Sequence, residues 1–315
     1  MDQLRAMQVF AQVAEAGSFA GAARALNLAP AVVTRQVAEL EAHLAARLIQ
    51  RTTRLMVLTD VGRQYLTRVR AILADLADAD AEASATVRVV GGRLAMRAPP
   101  AFATHQLAVM LPRFHERYPA VTLTLTLDGV VGVGVDEGQD ITIIWGPQPL
   151  AGEFVARRLA RTEVILCAAP AYLDRHGRPT HPTELAQHQM LTPPPVPGIF
   201  DPAQIRFIHR RDGTVVQPPS HTRPKPLLST WHTDTNLVAA RVGLGVAGLP
   251  SFTVAGDFRA GTLERVLPDW RLFENTIWAC VPSRQHLPAR TRAMLDFLVE
   301  TFGGEDRDPW LAELD

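Results

Sequence analysis

Between residues 47 and 70 the chain carries six arginines, Arg47, Arg51, Arg54, Arg63, Arg68 and Arg70, against one acid, Asp60. That is a local charge of about +5 in a chain whose formal net charge is zero. The basic charge is a patch and not a global field, and a patch of guanidinium groups suits a polyanion. The plain alternative is a solvated helix face. Just upstream, "LAPAVVTRQVAELE" puts Val33, Val37, Leu40 and Leu44 at i, i+4, i+7 and i+11, one buried stripe of a helix. The other side shows Thr34 and Arg35 beside the small Ala31 and Ala38. Solvated faces usually carry Glu and Lys. A face of small residues with one arginine is thin enough to lie close against a partner.

Other chemistries find little support. Gly243, Gly245 and Gly248 match GxGxxG by letter, but the dinucleotide site needs a strand before the glycines and a helix after them. Here the pattern runs helix, glycines, strand and then Pro250, so the glycines end a helix. His176 and His181 stand in a Gly/Pro-rich loop without metal-ligand spacing, and HExxH, GxSxG and Walker strings are absent. Asp136, Glu137 and Asp140 are expected in a solvated loop before a strand. Cys167 and Cys280 lie far apart with no CxxC, which points to a reducing compartment and no structural zinc, and Cys167, in an apolar strand, reads as an inert core thiol. No metal or cofactor is expected.

The elements that would carry the thin face read as follows. Leu4, Met7, Phe10 and Val13 have helical spacing; Gly17 stops that helix and Ser18 caps the next. Phe19, Ala22, Ala23 and Leu26 form a short second helix ended by Asn27. Pro30 suits the first position of a third. Three helices with a short turn between the last two describe a helix-turn-helix. "RLIQRTTRLMVLT" follows, apolar on both sides of Arg51, Thr52, Thr53 and Arg54, as a two-stranded wing with a basic tip. Thr59 and Asp60 cap a long helix in which Tyr65, Val69, Ile72, Leu76, Ala79 and Ala83 are spaced 4, 3, 4, 3, 4, the seam of a helix that pairs with another.

Beyond Gly91 and Gly92 the texture changes. Strands are expected at 94–98, 121–127, 141–145, 164–168, 246–249 and 277–281. Helices are expected at 102–118, from Pro170, at 235–242 and at 288–302. A hairpin is expected across Asp212 and Gly213. This alternation argues for an α/β fold with largely parallel sheets. Residues 191–202 read as a Pro-rich loop and the acidic tail after Gly303 as frayed, with Trp310 and Leu311 able to dock. With 315 residues, 47% hydrophobic and 20% charged, a folded chain of two or three domains is expected. No export signal or 18-residue apolar run appears, so a cytoplasmic protein without membrane contact is expected.

Together these strings resemble LysR-type transcriptional regulators. The resemblance is dense from Leu4 to about Leu76: Gly17, Ser18 and Phe19; Ala22 and Ala23; Thr34, Arg35 and Gln36; Leu40 and Glu41; Arg47 and Leu48; Arg51 to Arg54; Leu58 and Thr59; Gly62. It is looser in "LPRFHERYP", "EGQDITIIWG", "PAYLDRHG" and "GLGVAGLP". It implies a winged helix-turn-helix over 1–58, a dimerising linker helix over 59–90, and an effector domain over 91–302. The last would hold two α/β subdomains like those of type 2 periplasmic binding proteins, one about 91–161 with 266–302, the other about 162–265. The residues from 303 to 315 would be a tail. The partners implied are double-stranded promoter DNA, a small-molecule effector between the subdomains, a second copy of the chain in a homodimer or homotetramer, and RNA polymerase. Ala31, Thr34, Arg35, Gln36 and Ala38 would enter the major groove, with Arg35 forking onto guanine. Arg51, Thr52, Thr53 and Arg54 would hold phosphates or the minor groove. The alternative is a small-molecule binding protein or enzyme with an incidental helical N-terminus, but nothing in the chain assembles a reaction.

Two departures from the family pattern shape the expectations. Ala29 and Ala31 stand where the family usually has Ser, so a helix cap of about 1 kcal/mol and a hydroxyl contact are missing, and affinity should rest more on arginine–phosphate contacts. The effector candidates are Pro100, Ala101, Phe102, Thr104, Trp145, Thr192, Trp231, His232 and Thr233. Two prolines, Pro99 and Pro100, remove donors where related proteins often hold an anion, and the aromatic residues predict an uncharged or weakly polar effector, or weak effector dependence.

Overall fold

The structure is a computed structural model that describes residues 2–51, 56–83, 90–128, 138–146, 154–197, 200–219, 226–282, 287–304 and 307–311. The chain divides into two compact units, residues 1–88 and 89–315.

In the first unit α1 (Gln3–Ala16) ends at Gly17, whose φ of 64° is the left-handed conformation that glycine adopts without cost. Ser18 Oγ accepts from Gly21 N at 3.0 Å and starts α2 (Phe19–Ala25). Asn27, with φ 52°, turns the chain toward α3 (Pro30–His43). Pro30 occupies the first helical position, and Ala29 ahead of it offers no side-chain cap. Phe10, Val13, Ala22, Val33, Val37, Leu40 and Leu48 are all fully buried and form one core. Strands β1 (Ile49–Arg51) and β2 (Met56–Leu58) pair antiparallel, and α4 (Asp60–Ala83) follows.

The second unit runs β3 (Gly91–Ala98), α5 (Pro100–Phe102), a π turn (Ala103–Leu107), α6 (Ala108–Arg117), β4 (Ala120–Leu127), β5 (Ile141–Gly146), β6 (Phe154–Ala168) and α7 (Pro170–His176). Then come β7 (Met190–Thr192), the hairpin β8 (Phe207–His209) and β9 (Val215–Val216), β10 (Pro226–Ser229), α8 (Thr233–Arg241), β11 (Val246–Pro250) and α9 (Ser251–Ala260). It closes with β12 (Glu264–Arg265), β13 (Trp270–Arg271), β14 (Glu274–Pro282) and α10 (Ala289–Phe302). The large sheet has the order β10-β7-β11-β6-β14-β5-β3-β4, with β12 on β6.

The expectation of largely parallel sheets needs correction. Its two wings are parallel (β3 with β4 and β5; β7 with β10 and β11), but they are joined through antiparallel pairs of β6 and β14. β6 is the reason. It pairs with β14 as far as Glu163 and with β11 from Val164 onward, so one strand serves two lobes. The first lobe packs Leu94, Met96, Phe102, Ile141, Leu159, Ile277 and Met294. In the second, Val164, Leu166 and Ala168 face one core while Ile165 and Cys167 face another. A strand buried on both faces reads as a continuous apolar run. In the described part of the tail, residues 307–311, the two residues expected to be able to dock do so: Leu311 is 9% exposed and Trp310 packs on Phe252 and Phe302.

Candidate nucleic-acid interface and ligand cleft

On α3 the apolar stripe faces inward as its spacing requires: Val33, Val37 and Leu40 are each 0% exposed. The opposite face presents Ala31, Arg35 and Ala38 to solvent, with Thr34 half-buried. Arg35 is 70% exposed and its Nε lies 3.6 Å from Glu39 Oε1 one turn on, a pairing that the bare spacing did not flag. Gln36 is less available than Arg35, because its Oε1 is buried without a hydrogen-bond partner among the described residues. No described side chain caps α3; the amides of Val32 and Val33 donate instead to Ala29 O at 2.9 and 3.3 Å.

Three residues outside the candidate set fix the wing against α3. Glu41 Oε1 accepts from the amides of Leu48 and Ile49 at 2.8 and 3.0 Å, so the end of α3 sets the start of β1. Thr59 Oγ1 donates to Arg47 O at 2.7 Å and accepts from Gly62 N at 2.9 Å, capping α4. A Cβ at Gly62 would lie 2.0 Å from Leu48 O, so only glycine lets α4 pass the wing. Arg51 ends β1; Thr52, Thr53 and Arg54 lie outside the described residues.

Along α4 the candidate seam divides. Tyr65 packs its ring 5.9 Å from Phe10, and Val69 is fully buried within the chain. Ile72 is 45% exposed and Leu76 half-buried. Ala79 and Ala83 lie on the same helix, but their side chains are outside the described residues.

In the second unit the effector candidates gather at the carboxyl ends of the parallel strands, where open α/β sheets bind ligands. β3 leads into Pro100, Ala101 and Phe102; β5 ends at Trp145 and Gly146; β7 ends at Thr192; β10 leads to Trp231, His232 and Thr233. α5 packs against both α8 and α9, so the helix starts of the two lobes meet. Phe102 is a core residue: 1% exposed, it stands edge-on to Phe252 and tilted to Phe302, each at 5.4 Å. Thr104 is exposed. Trp145 meets Phe252 at 6.3 Å and borders the cores of both lobes. Trp231 stands edge-on to Phe200 at 5.7 Å, which brings the Pro-rich loop over the start of α8. His232 caps that helix: its Nδ1 accepts from Thr235 N at 3.3 Å and lies 2.8 Å from Thr235 Oγ1. Thr192 O accepts from Thr230 N at 3.3 Å, joining the ends of β7 and β10.

The π turn adds two residues that spacing did not single out. π turns recur at functional positions because they re-aim consecutive side chains. His105 Nε2–H donates to Asp234 Oδ1 at 2.7 Å, and Gln106 Nε2 donates to Phe252 O at 2.8 Å. Both bonds join the first lobe to the second. Asp234 sits in the first turn of α8, where its negative charge meets the positive helix end. Behind it, Arg241 holds Asp257 by two bonds of 2.6 and 2.8 Å, and Thr262 Oγ1 adds a third at 2.6 Å. Burial alone would raise the Asp257 carboxyl; these donors and the guanidinium charge outweigh it and hold the group below its ordinary value. Two buried polar atoms, Trp145 Nε1 and Asn236 Oδ1, have no hydrogen-bond partner among the described residues. No cluster of three or more potential metal-binding side chains occurs among them, and no described helix is long and apolar enough to cross a membrane.

Residues 4–63 match the bacterial regulatory helix-turn-helix family of lysR type, and residues 88–303 match the LysR substrate binding domain. A probable HTH-type transcriptional regulator LtrA of Klebsiella pneumoniae is 30% identical over 298 residues, covering 94% of this chain and 93% of that protein. The regulator CrgA of Neisseria meningitidis is 32% identical over 299 residues, covering 94% and 96%. A solved structure of CrgA, described as a LysR-type transcriptional regulator from Neisseria meningitidis, aligns with a TM-score of 0.58 at 29% identity over 95% of this chain and 98% of that one. The full-length virulence activator AphB of Vibrio cholerae aligns with a TM-score of 0.56 at 26% identity over 95% and 99%. With a winged helix-turn-helix ahead of a two-lobed effector domain, the chain belongs to the LysR family of DNA-binding transcriptional regulators.

Proposed function

We propose that the ridge of Ala31, Thr34, Arg35 and Ala38 reads the major groove of promoter DNA, and that Arg35 is its base-reading residue. The observation that carries this is the sidedness of α3: Val33, Val37 and Leu40 are wholly buried while Arg35 is 70% exposed. A major groove about 12 Å wide admits a helix only where that face is thin. Arg51 to Arg54 hold flanking phosphates. Two copies pair through α4 beyond Val69, where Ile72 is exposed. The dimer, or a pair of dimers, acts in the cytoplasm and modulates RNA polymerase bound beside it.

The effector of this reading is uncharged and carries both a hydrogen-bond donor and an acceptor. Three observations support it. Prolines remove amide donors ahead of α5, the first turn of α8 already carries Asp234, and the His232 ring is spent as a cap. An anion would meet a carboxylate where it would otherwise find an open helix end. The buried Trp145 Nε1 and Asn236 Oδ1, without a hydrogen-bond partner among the described residues, are the groups such a ligand would satisfy.

Gel shifts with the DNA upstream of the protein's own gene test the first half. Arg35→Ala is expected to lose about 1–3 kcal/mol on the specific site and far less on random DNA, and Arg54→Ala to reduce the salt slope by about one. Equal losses on both DNAs would remove the reading role of Arg35. Calorimetry with a dicarboxylate, inorganic phosphate and a neutral heteroaromatic amide tests the second half. Micromolar binding of either anion in the cleft overturns the neutral-effector reading.

A further inference from the structure

After α10 the chain turns back on two consecutive left-handed glycines, Gly303 at φ 91° and Gly304 at φ 63°. Gly304 N donates to Leu159 O at 2.9 Å, which lays the tail along β6. Arg161 N then donates to Arg307 O at 2.9 Å, and Glu163 N donates to Asp308 Oδ2 at 2.8 Å. These contacts sit where β6 changes partner from β14 to β11, the strand that links the lobes.

Asp308 is the knot of this segment. Its Oδ1 accepts from the amides of Trp310 and Leu311 at 3.1 and 3.2 Å. It also bonds the Ser251 hydroxyl at the start of α9, and Ser251 Oγ meets Thr162 Oγ1 at 2.8 Å. One carboxylate therefore holds its own turn, the linking strand and a helix of the second lobe. Two residues on, Trp310 Nε1 donates to Gln106 Oε1 at 2.8 Å, and its ring packs on the first lobe's core, 5.9 Å from Phe302 and 5.7 Å from Phe252, whose ring belongs to that core although it stands on α9. Gln106 spends its other end on Phe252 O. Leu311 enters the second lobe's core beside Leu249 and Val254. Burial raises the Asp308 carboxyl, and its four donors offset that cost only in part.

We propose that residues 307–311 are a strap across the hinge: Trp310 holds the first lobe's core, Leu311 the second's and Asp308 the strand between them, and so they set how far the lobes open and close. The link to signalling rests on the reading that an effector binds between the lobes. The mechanical effect does not, and it is measured without any ligand. Packed interfaces of this kind are bistable and not continuously deformable. A change of interlobe angle must draw Trp310 from the first lobe's core or Leu311 from the second's, or break the bond of Asp308 to β6.

The test uses the full chain with spin labels at Glu116→Cys on α6 and Arg211→Cys in the β8–β9 turn, both exposed, while the two native thiols are buried. Pulsed dipolar spectroscopy should give one narrow interlobe distance for the parent. Asp308→Ala and Trp310→Ala should each broaden it or add a second distance, and amide exchange at Glu163 should speed up about tenfold in Asp308→Ala, as for the loss of one bond to a charged acceptor. Trp310→Phe, which keeps the ring and removes its N–H, and Gln106→Leu cover the case of a variant that does not fold, and should broaden the distribution in part. Unchanged distances in every folded variant, with only a lowered melting temperature, would reduce the segment to packing and overturn the proposal. Normal strap behaviour with no effector binding in the cleft would instead count against the effector reading alone.

Discussion

His105 and Asp234 stand 129 positions apart, and the imidazole Nε2–H of one meets Oδ1 of the other at 2.7 Å across the two lobes. Their side chains are 22% and 25% exposed, so the bond is sheltered from water without being sealed off. A double-mutant cycle of His105→Ala and Asp234→Ala in urea is expected to give a coupling energy of about 1–2 kcal/mol. Simple additivity would mean that the contact contributes nothing. Asp234→Ser should also raise the affinity of the cleft for a dicarboxylate at least about tenfold, since the start of α8 then lacks its own acid.

Arg35 is held by Glu39 before DNA arrives. The Nε to Oε1 distance is 3.6 Å and the two side chains are 70% and 46% exposed, a surface pair of small energy. DNA binding must separate the two and bring Glu39 near phosphates. Glu39→Gln is therefore expected to tighten binding to operator and random DNA alike by about twofold to tenfold, with the largest gain at low salt. Weaker binding to the operator alone would instead give Glu39 a base-reading role.

Two buried acids pull the pH dependence of stability in opposite directions. Asp257 is held below its ordinary 3.8 by Arg241 and Thr262 despite its burial, so its contribution is present above pH 3.8 and lost as pH falls through the depressed value. Burial raises Glu163 above 4.5 even with Arg210 bonded to it, so its contribution is present below pH 4.5 and lost as pH rises through the elevated value. Urea midpoints from about pH 3 to about pH 7 should show a shallower acid limb in Asp257→Asn and a shallower decline toward neutral pH in Glu163→Gln. Parallel curves for parent and variants would remove both assignments.

What could be read from letters followed the range of the forces involved. α3 was legible because Val33, Val37 and Leu40 repeat at the helical period and their burial needs no distant partner. β6 was legible only from Val164, because Arg157, Arg158 and Arg161 interrupt the apolar run on the half that pairs with β14. α9 is not legible in the sequence because "SFTVAGDFRA" is buried on several sides and has no clean stripe. Phe102 looked like a cleft wall from its place at a helix start, yet Phe252 and Phe302 enclose it from 150 and 200 positions away. The same distance hid His105 with Asp234 and the strap at Asp308, since neither half of those contacts carries a local mark.

Cys167 and Cys280 are both 0% exposed, and burial pushes the Cys280 thiol up to about 12 and Cys167 higher still. The thiolate is the reactive form, so neither should react while the fold holds. The expected outcome is no maleimide labelling of the native chain and two labels per chain in denaturant, with DNA binding unaffected by dilute peroxide. Rapid native labelling at either position would show that the lobe cores open far more often than their packing implies.

Gly62 and Gly17 separate two reasons for a glycine. At Gly17 the φ of 64° disfavours any Cβ, but nothing lies within 4 Å of where it would stand. Gly17→Ala should therefore cost only the backbone strain, about 1 kcal/mol, with DNA affinity nearly intact. At Gly62 a Cβ would sit 2.0 Å from Leu48 O and 2.9 Å from Leu48 C, which are backbone atoms that no rotamer change can move. Gly62→Ala must push α4 away from β1, breaking the Thr59 bonds to Arg47 O and Gly62 N that seat the helix. The expected loss is about 3 kcal/mol or more of stability in urea, with operator binding falling far more than the small effect of Gly17→Ala. Similar, small losses for both variants would mean that the wing and α4 move independently, and the wing arginines would then have no fixed place from which to hold phosphates.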